Sequence, residues 1–297
     1  MSKTKIHYYT DELNDDFAGG NIKTKQTPPD FKYVHTNPIW RVIEFIVYQL
    51  IVRPLAWIIS KFRYGVKIKN RKVLKQAKGK GIFIYGNHVV TLGDAFHPNL
   101  VSFPRKSFIV VHPDTTSIPL IKNLVVMLGA LPLPSGKQGY RNFTNAIKTR
   151  IEQKQAVVIY PEAHLWPRFT DIRPFKNDSF LYPSMLGAPV FCTTTVLKNR
   201  RFRKPPKCIV YVDGPFYPDE NLSFAENKQK LRDEVYAVMC ERAKESNYDK
   251  VKYVKVTPEE LEAIKAGKEI QKEVPRQNSP ATEPAGENSE KDIGIVA

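Results

Sequence analysis

Cysteine is scarce in this 297-residue chain, and the signatures of several enzyme classes are missing. The three cysteines, Cys192, Cys208 and Cys240, have neither a paired nor a metal-site spacing, which fits small core residues in a reducing compartment. No Gly-x-Ser-x-Gly elbow is present for a serine nucleophile. The stretch LPSGKQGYR over 133–141 lacks the Walker spacing of a phosphate loop. These absences argue against a covalent serine mechanism and against a nucleotide-binding fold.

The sequence also lacks a recognisable metal motif and a secretory signal. Seven potential nitrogen and oxygen ligands are available, but no His-x-Glu, His-Glu-x-x-His or cysteine-bearing spacing joins them. They are His88, Asp94, His97, His112, Asp114, Glu162 and His164. The polar N-terminus, MSKTKIHYYTDELNDD, does not have the composition of a signal peptide. We therefore expect a protein without a metal that faces the cytosol.

Acidic residues are absent from two stretches, and this leaves most of the chain strongly basic. Ten Lys and Arg residues lie between 53 and 80, and six more lie in KNRRFRKPPK over 198–207. From 257 onward nine acids face five bases, so the tail is net −4 and the preceding chain is +20, for a total of +16. Such a charge favours phospholipid headgroups, nucleic acid or phosphorylated ligands. A merely soluble basic surface is the alternative.

The most apolar part of the chain is IWRVIEFIVYQLIVRPLAWIISKF, residues 39–62. It is long enough to span a bilayer, but Arg41, Glu44 and Arg53 interrupt it, and a charge near the centre of a span costs about 2.5–3.5 kcal/mol. Pro54 is expected to divide the helix into two pieces. With the basic segment that follows, the pattern predicts a pair of amphipathic helices in the membrane interface. A spanning or re-entrant segment and a core helix of a soluble protein are the alternatives.

Short apolar runs alternate with helix-like segments through the middle of the chain. The candidate strands are 82–87, 107–112, 156–161, 188–196 and 208–215, and the candidate helices are 120–130, 142–155 and 224–246. Nearly continuous apolar strands separated by helices are typical of an α/β fold with a mainly parallel central sheet flanked by helices.

These patterns divide the chain into four parts. They are a polar, irregular segment over 1–37, membrane-associating helices over 38–64, an α/β domain over 65–256, and an acidic tail over 257–297. The tail begins with the helical piece PEELEAIKAGKEIQKE. It continues as a stretch rich in Pro, Ser and Glu, which we predict to be disordered.

Polar side chains follow two of the candidate strands directly. His88 and Asp94 stand at the end of the first, in GNHVVTLGDAF, and Glu162 and His164 stand at the end of another, in YPEAHLWP. Ligands collect at the carboxyl ends of parallel strands, so both pairs are expected at one edge of the sheet. A neutral histidine can take a proton from a hydroxyl while a carboxylate orients it. On its own, however, a His-x5-Asp pair is also compatible with an ordinary turn.

Four blocks of the sequence resemble those of the PlsC-type glycerolipid acyltransferases, the lysophospholipid acyltransferase superfamily. NHVVTLGD is similar to the first block, Asn-His-x4-Asp, and GALPLPSGKQGYRNF occupies the place of the second. YPEAHLW resembles the third block, Phe-Pro-Glu-Gly-Thr-Arg, and APVFCTTTV resembles the proline-bearing fourth, after the aromatic-Lys pair Phe175–Lys176. Order and separation agree over roughly residues 65–215. The family also carries an N-terminal membrane-binding helix pair.

The resemblance implies direct transfer of a fatty acyl group from acyl-CoA or acyl-carrier protein to the hydroxyl of a 1-acylglycerol-3-phosphate, without a cofactor. His88 is then the general base, and Asp94 orients it. Asn87 is expected to shape the turn, and Glu162 to hold the acceptor or to order its own loop. The residues assigned to substrate binding are Asn87, Lys137, Arg141, Glu162, His164, Arg168 and Lys176. Of these, Lys137, Arg141 and Lys176 are assigned to the phosphate.

The sequence departs from the family pattern in all of the first three blocks. Five residues, not four, separate His88 from Asp94, and Gly93 could absorb the extra residue through unusual backbone angles. Ala-His-Leu at 163–165 replaces Gly-Thr-Arg, and the second block lacks its early arginine. The nearest substitute cations are Arg168, Arg173 and Lys176. Acyl transfer to another lipid acceptor, or a non-catalytic basic membrane-binding protein, is therefore the alternative function.

The expected partners follow from the charge and from the resemblance. They are an anionic phospholipid membrane, a lyso-lipid acceptor, and acyl-CoA or acyl-carrier protein as the donor. Nucleic acid is not expected, since RRFRKPPK is the only hint of aromatic residues among basic ones. The expected location is the cytoplasmic face of the cell membrane, as a peripheral or monotopic protein.

Overall fold

The computed structural model of the chain describes residues 4–19, 24–117, 122–201 and 205–267. The strands are β1 Lys5–Tyr9, β2 Lys67–Lys69, β3 Ile82–Gly86, β4 Ser107–Val111, β5 Ala130–Pro132, β6 Ala156–Ile159, β7 Val190–Lys198, β8 Lys207–Phe216 and β9 Val251–Lys255. The helices are α1 Pro38–Tyr64, α2 Gly93–Val101, α3 Asp114–Ser117, α4 Lys122–Met127, α5 Gly136–Glu152, α6 Leu181–Leu186, α7 Phe224–Ala243 and α8 Pro258–Lys265. Short 3-10 helices cover Arg71–Ala77 and Asp178–Phe180.

A seven-stranded sheet forms the centre of the molecule, in the order β2-β8-β7-β3-β6-β4-β5. Its pairings are parallel except for the antiparallel pair β7 and β8. A second, two-stranded parallel sheet joins β1 to β9. The predicted α/β fold with a mostly parallel central sheet and flanking helices is confirmed.

The central strands are apolar throughout because both faces of the sheet are covered. On one face, Phe83 and Tyr85 of β3 belong to the core that α5 and α7 close. On the other face, Ile82 and Ile84 pack in a cluster with Val101 of α2. A strand buried on two sides loses the alternation of polar and apolar residues, and this explains the continuous run IFIY.

The N-terminal apolar stretch forms one continuous helix, α1, and not the expected helix pair. The turns before Pro54, over 46–52, are of the wider π type, and the backbone N–H of Arg53 bonds to the carbonyl oxygen of Tyr48, five residues back. In an ordinary α-helical turn the proline ring would clash with the carbonyl four residues earlier, and a π-type turn relieves that clash. By length and composition alone, this 27-residue helix could cross a membrane.

One stripe of α1 is polar and docks onto the α/β domain. Glu44 forms an ion pair with Lys106, which is largely buried. The Tyr48 hydroxyl donates to the side chain of Asn99 and accepts a hydrogen bond of 3.0 Å from the backbone N–H of Ser107. These polar groups of α1 are therefore bonded to the protein itself.

Most of the remaining α1 surface is apolar and exposed, apart from the exposed charged residues Arg41, Lys61 and Arg63. Arg53 completes the docked stripe by donating to the carbonyl oxygen of Arg105 at 2.8 Å. The exposed large side chains of α1 are Ile39, Val42, Ile43, Phe45, Ile46, Leu50, Ile51, Leu55, Trp57, Ile58 and Phe62. α1 is hydrogen-bonded to its own domain along one side and exposes apolar side chains along the other. This is the amphipathic form of an interfacial helix.

The segment before α1 is more ordered than its polar composition predicts. β1 pairs with β9, and Tyr9 and Phe17 contact the indole of Trp166, with ring centroids 4.6 and 5.2 Å apart. The expectation of an irregular segment is therefore wrong for β1, because its pairing partner lies near the other end of the chain. α8 covers the first half of the predicted helical piece and ends at Lys265. The tail over 268–297, predicted to be disordered, lies outside the described residues. The four-part division of the chain stays a prediction.

Candidate active site

The carboxyl ends of β3 and β6 lie side by side at one edge of the central sheet. Tyr85 of β3 is in register with Ile159 of β6, and the two strands are parallel. The loops that follow carry His88 and Glu162. The topology therefore brings both predicted polar loops to the same place.

His88 and Asp94 are bonded to each other. The distance from His88 Nδ1 to Asp94 Oδ2 is 2.8 Å, and the same oxygen accepts the backbone N–H of Val90 at 2.9 Å. Asp94 is only 3% exposed and lies in the first turn of α2, where the helix dipole favours a carboxylate. The bond at Nδ1 fixes the tautomer in which Nε2 carries the free lone pair. The His88 side chain is 23% exposed, so solvent and substrate can reach it.

Gly93 accommodates the extra residue between His88 and Asp94, but not through unusual backbone angles. It is the first residue of α2, and its φ lies outside the left-handed region. What it provides is space, since a Cβ at this position would lie 2.5 Å from His97 Cε1 and 2.5 Å from Val90 Cγ1. Because α2 begins at Gly93, its first turn returns Asp94 to His88.

Substitution of Gly93 by alanine is expected to destabilise the fold by about 1–3 kcal/mol, the usual cost of overpacking a filled core. Gly139→Ala in α5 is the matched control, because a Cβ there meets no heavy atom closer than 3.2 Å. Urea unfolding of both variants measures the difference. Equal stability of Gly93→Ala and Gly139→Ala would contradict the conclusion that Gly93 is needed for space beside His97 and Val90.

Tyr160 borders His88, and sequence reasoning missed it. Its ring stacks on the imidazole with centroids 4.6 Å apart and an interplanar angle of 23°, and its hydroxyl donates to the carbonyl oxygen of Asp94 at 2.5 Å. Burial raises the pKa of Tyr160 well above 10, so the hydroxyl remains a neutral donor. The available signal was its place in YPEAHLW, where the family block has an aromatic residue.

Backbone hydrogen bonds join the two site loops. The N–H of Trp166 donates to the carbonyl oxygen of His88 at 3.3 Å, and the N–H of Arg168 donates to that of Val89 at 2.8 Å. The carboxylate of Glu162 accepts the N–H of His88 at 3.3 Å. The backbone that carries the histidine is therefore held by the loop after β6.

Glu162 is paired inside the protein with Arg173. Both side chains are buried, and Arg173 Nη2 lies 3.5 Å from Glu162 Oε2. The backbone N–H of Arg173 also donates to Glu162 Oε1 at 3.3 Å. Burial raises the pKa of Glu162, and the nearby guanidinium opposes the rise. Of the two roles expected for Glu162, this geometry favours ordering of the loop. The prediction that Arg173 is a substitute cation for the phosphate is wrong, because this residue has no exposed surface.

Asn87 is turned into the sheet. Its Oδ1 accepts the N–H of Thr195 at 2.7 Å, and its Nδ2 donates to the carbonyl oxygen of Thr195 at 3.2 Å. Both polar atoms of this buried side chain are therefore used by β7. The arrangement favours the expected role in shaping the turn over contact with a substrate.

The remaining predicted substrate residues lie in α5, in the loop after β6 and in the segment before α6. Lys137 and Arg141 lie in α5 after β5, which is three strands from β3, a distance on the order of 14 Å. His164 Nδ1 lies 3.9 Å from Asp16 Oδ2, Arg168 donates to the Tyr248 hydroxyl at 3.3 Å, and Lys176 is exposed. Within the described ranges, no hydrogen bond joins these five residues to the dyad. Nor does any group of three or more His, Cys, Asp or Glu side chains there form a metal site.

Ala163, which stands where the resembled block has a glycine, has a left-handed backbone conformation. Its φ is +62°, in the left-handed region that costs a residue with a Cβ about 1–2 kcal/mol. Ala163→Gly should therefore raise the free energy of unfolding by about 0.5–1 kcal/mol, after the entropy of glycine is deducted. Ala237→Gly, on the exposed side of α7, should lower it by about 1 kcal/mol. Urea unfolding distinguishes the two, and a loss of stability in both variants would contradict the strain at Ala163.

A second histidine, His97, lies buried beneath the dyad. It contacts the edge of the Tyr64 ring with centroids 5.9 Å apart, and neither ring nitrogen has a hydrogen-bond partner among the described residues. Burial lowers the pKa of His97 to about 4, although the charge of Asp94 acts in the opposite direction. This histidine is therefore neutral at physiological pH.

The burial of His97 predicts a loss of stability in acid. Between about pH 6.5 and pH 4 the unfolded chain binds a proton at this residue and the folded chain does not, so the free energy of unfolding falls by about 3 kcal/mol as the pH falls. His97→Leu should remove this part of the slope, whereas His112→Leu, at an exposed position, should keep it. Denaturant unfolding across this pH range tests the prediction, and an unchanged slope in His97→Leu would refute it.

The fold is similar to that of a known acyltransferase. The crystal structure of the 1-acyl-sn-glycerophosphate (LPA) acyltransferase PlsC from Thermotoga maritima superposes with a TM-score of 0.50 and 16% sequence identity. The match covers 71% of this chain and 89% of that chain. At this identity the similarity establishes a PlsC-like fold. No protein-family model matches the sequence, and no curated protein matches it.

Proposed function

We propose that this protein is an acyltransferase that moves a fatty acyl group from acyl-CoA or acyl-carrier protein to the hydroxyl of a lysophosphatidate-type acceptor at a membrane surface. The observation that carries the proposal is the 2.8 Å bond between His88 and Asp94 at the carboxyl edge of a PlsC-like sheet. Ligands of open α/β sheets bind at that edge.

The chemistry needs one base and an activated donor. His88 Nε2 removes the proton of the acceptor hydroxyl as its oxygen attacks the thioester carbonyl, and the negative Asp94 stabilises the imidazolium that forms. When the tetrahedral intermediate collapses, the carbon–sulfur bond breaks and the imidazolium returns its proton to the leaving thiolate. The base is regenerated, and no cofactor is consumed.

Direct transfer is supported by the state of the cysteines. Cys192 and Cys208 are buried in the sheet, and burial raises the pKa of Cys208 to about 12 and that of Cys192 further. Both are thiols at neutral pH and poor nucleophiles. An acyl intermediate on Cys192 or Cys208 is therefore disfavoured.

A membrane position is supported by the surface around α1. The guanidinium of Arg200 donates to the carbonyl oxygen of Arg63 at 3.2 Å, which brings residues 198–201 of the basic cluster beside the basic end of α1. Two cationic segments distant in sequence thus adjoin the exposed apolar face of the helix. Apolar burial and attraction to anionic lipid act together in such a surface. We place it at the cytoplasmic face of the cell membrane, as a peripheral or monotopic protein.

A panel of acceptors tests the function. Purified protein is incubated with a labelled acyl-CoA or acyl-carrier protein, anionic vesicles, and either lysophosphatidate, a lysophospholipid with a larger headgroup, or an uncharged monoacylglycerol. We expect labelled phosphatidate as the main product. Transfer only to another acceptor would replace the substrate assignment. Vesicle binding without transfer to any acceptor would contradict the proposed acyltransferase activity. The protein would then be a non-catalytic membrane-binding protein.

A further inference from the structure

A groove of about 490 Å³ lies between α1 and the α/β domain, apart from the dyad. Its lining includes the cations Arg53, Lys61 and Arg71. Neither His88 nor Asp94 lines it, and no acidic side chain does so among the described residues. Within the same ranges, none of the three cations has a carboxylate partner. Uncompensated positive charges around a concave site attract an anion.

Two buried polar atoms in the lining residues are without a partner. Arg53 is only 9% exposed, and its Nε has no hydrogen-bond acceptor in the described parts of the chain. Ser60 is 1% exposed, and its Oγ is likewise without a partner there. Buried donors are nearly always satisfied in folded proteins, since leaving one unpaired is costly. Both atoms belong to residues that line the groove, so unused hydrogen-bonding capacity lies beside it.

Beside the amides of Gln49 and Asn99, apolar side chains form the rest of the groove wall and lead to the exposed face of α1. Trp57, Leu100 and Phe103 line it, and the rings of Trp57 and Phe103 are both exposed. The Phe103 ring also packs on the Arg53 guanidinium, 4.8 Å from ring centroid to Cζ. Aromatic and apolar walls beside a cluster of cations match a molecule with an anionic head and an apolar chain. A free anion has no apolar chain to pack against these walls.

We infer that the groove holds the phosphate headgroup of one membrane phospholipid, with its acyl chains along Trp57, Leu100 and Phe103. This lipid is bound apart from the dyad and is not the acyl acceptor. The inference rests on the membrane position proposed for α1, but it does not depend on the acyl-transfer chemistry. It predicts a discrete lipid site in addition to the diffuse attraction of the basic surface.

Lipid retention measures this site. The full chain is reconstituted into phosphatidylcholine vesicles with or without phosphatidylglycerol, then extracted in mild detergent and examined by native mass spectrometry. We expect one phosphatidylglycerol retained by each wild-type chain. Lys61→Gln/Arg71→Gln should lower this retention by about tenfold or more, because two charge-assisted contacts are lost. Lys72→Gln/Lys75→Gln removes the same charge from exposed positions outside the groove and should leave retention unchanged.

Three results would overturn the inference. Equal loss of lipid in both double variants would show diffuse attraction only. Full displacement of the lipid by inorganic phosphate would assign the groove to a free anion, and absence of any retained lipid would refute the site. Circular dichroism checks the fold, and Ser60→Ala/Lys61→Gln carries the same test where Arg71→Gln does not fold. An acyl-transfer assay on the same preparations separates the proposed lipid site from the proposed acyl-transfer function. Retained lipid without acyl transfer would contradict the proposed function and leave the lipid site supported.

Discussion

Replacement of His88 by alanine is expected to lower the rate of acyl transfer by about 10²–10⁴-fold, the usual contribution of a positioned general base. His88 Nδ1 is bonded to a buried carboxylate, and its Nε2 is available to the acceptor hydroxyl. No other described histidine combines these two properties. The initial rate with labelled acyl donor, at saturating acceptor, measures the effect.

The chain offers a matched control for this substitution. His112 Nδ1 lies 3.1 Å from Asp114 Oδ2, so it forms a similar pair at the end of β4, but both side chains are exposed. His112→Ala should therefore keep the wild-type rate. Full activity of His88→Ala, or an equal loss in the two variants, would show that His88 is not the base.

Arg173→Met is expected to lower the free energy of unfolding by about 3–5 kcal/mol, because it leaves the carboxylate of Glu162 buried without its cation. The guanidinium also donates to the backbone carbonyl of Glu162 at 3.1 Å and to that of Glu12 at 3.2 Å. Loss of these bonds releases the loop that holds His88, so activity should fall as well. Urea unfolding monitored by circular dichroism gives the stability.

Two further variants show whether the buried charge is the cause. Glu162→Gln/Arg173→Met removes both charges and should recover part of the lost stability, since no bare ion is then buried. Lys148→Met breaks the exposed pair with Glu152 and should cost less than about 1 kcal/mol. If Arg173→Met were no more harmful than Lys148→Met, the structural role of the Glu162–Arg173 pair would be refuted.

The central sheet could be predicted from the sequence because its strands are buried on both faces. Continuous runs such as IFIY and AVVI have no polar partner on either side, and each coincides with an observed strand. The approach of His88 to Asp94 could also be expected, since both follow the same strand end. α5 begins earlier than the predicted 142 because the stretch GKQGYR has too few apolar residues to show a helical period.

Other features could not be predicted because they depend on contacts between distant segments. The pairing of β1 with β9 joins the two ends of the described chain, and no local pattern in KIHYY indicates it. The sequence predicts that Arg173 is a solvated loop cation, because nothing in it shows that Glu162 lies beside Arg173 in the fold. Pro54 reads as a helix breaker, since the π-type turns that accommodate it have no signature in composition.

The release of thiol from acyl-CoA, followed with and without acceptor, tests transfer at His88 most directly. We expect release only when an acceptor hydroxyl is present, in equal amount to the acylated product, and an unchanged protein mass after incubation with the donor alone. Thiol release in the absence of acceptor, together with an acyl group attached to the protein, would contradict direct transfer by the His88–Asp94 pair.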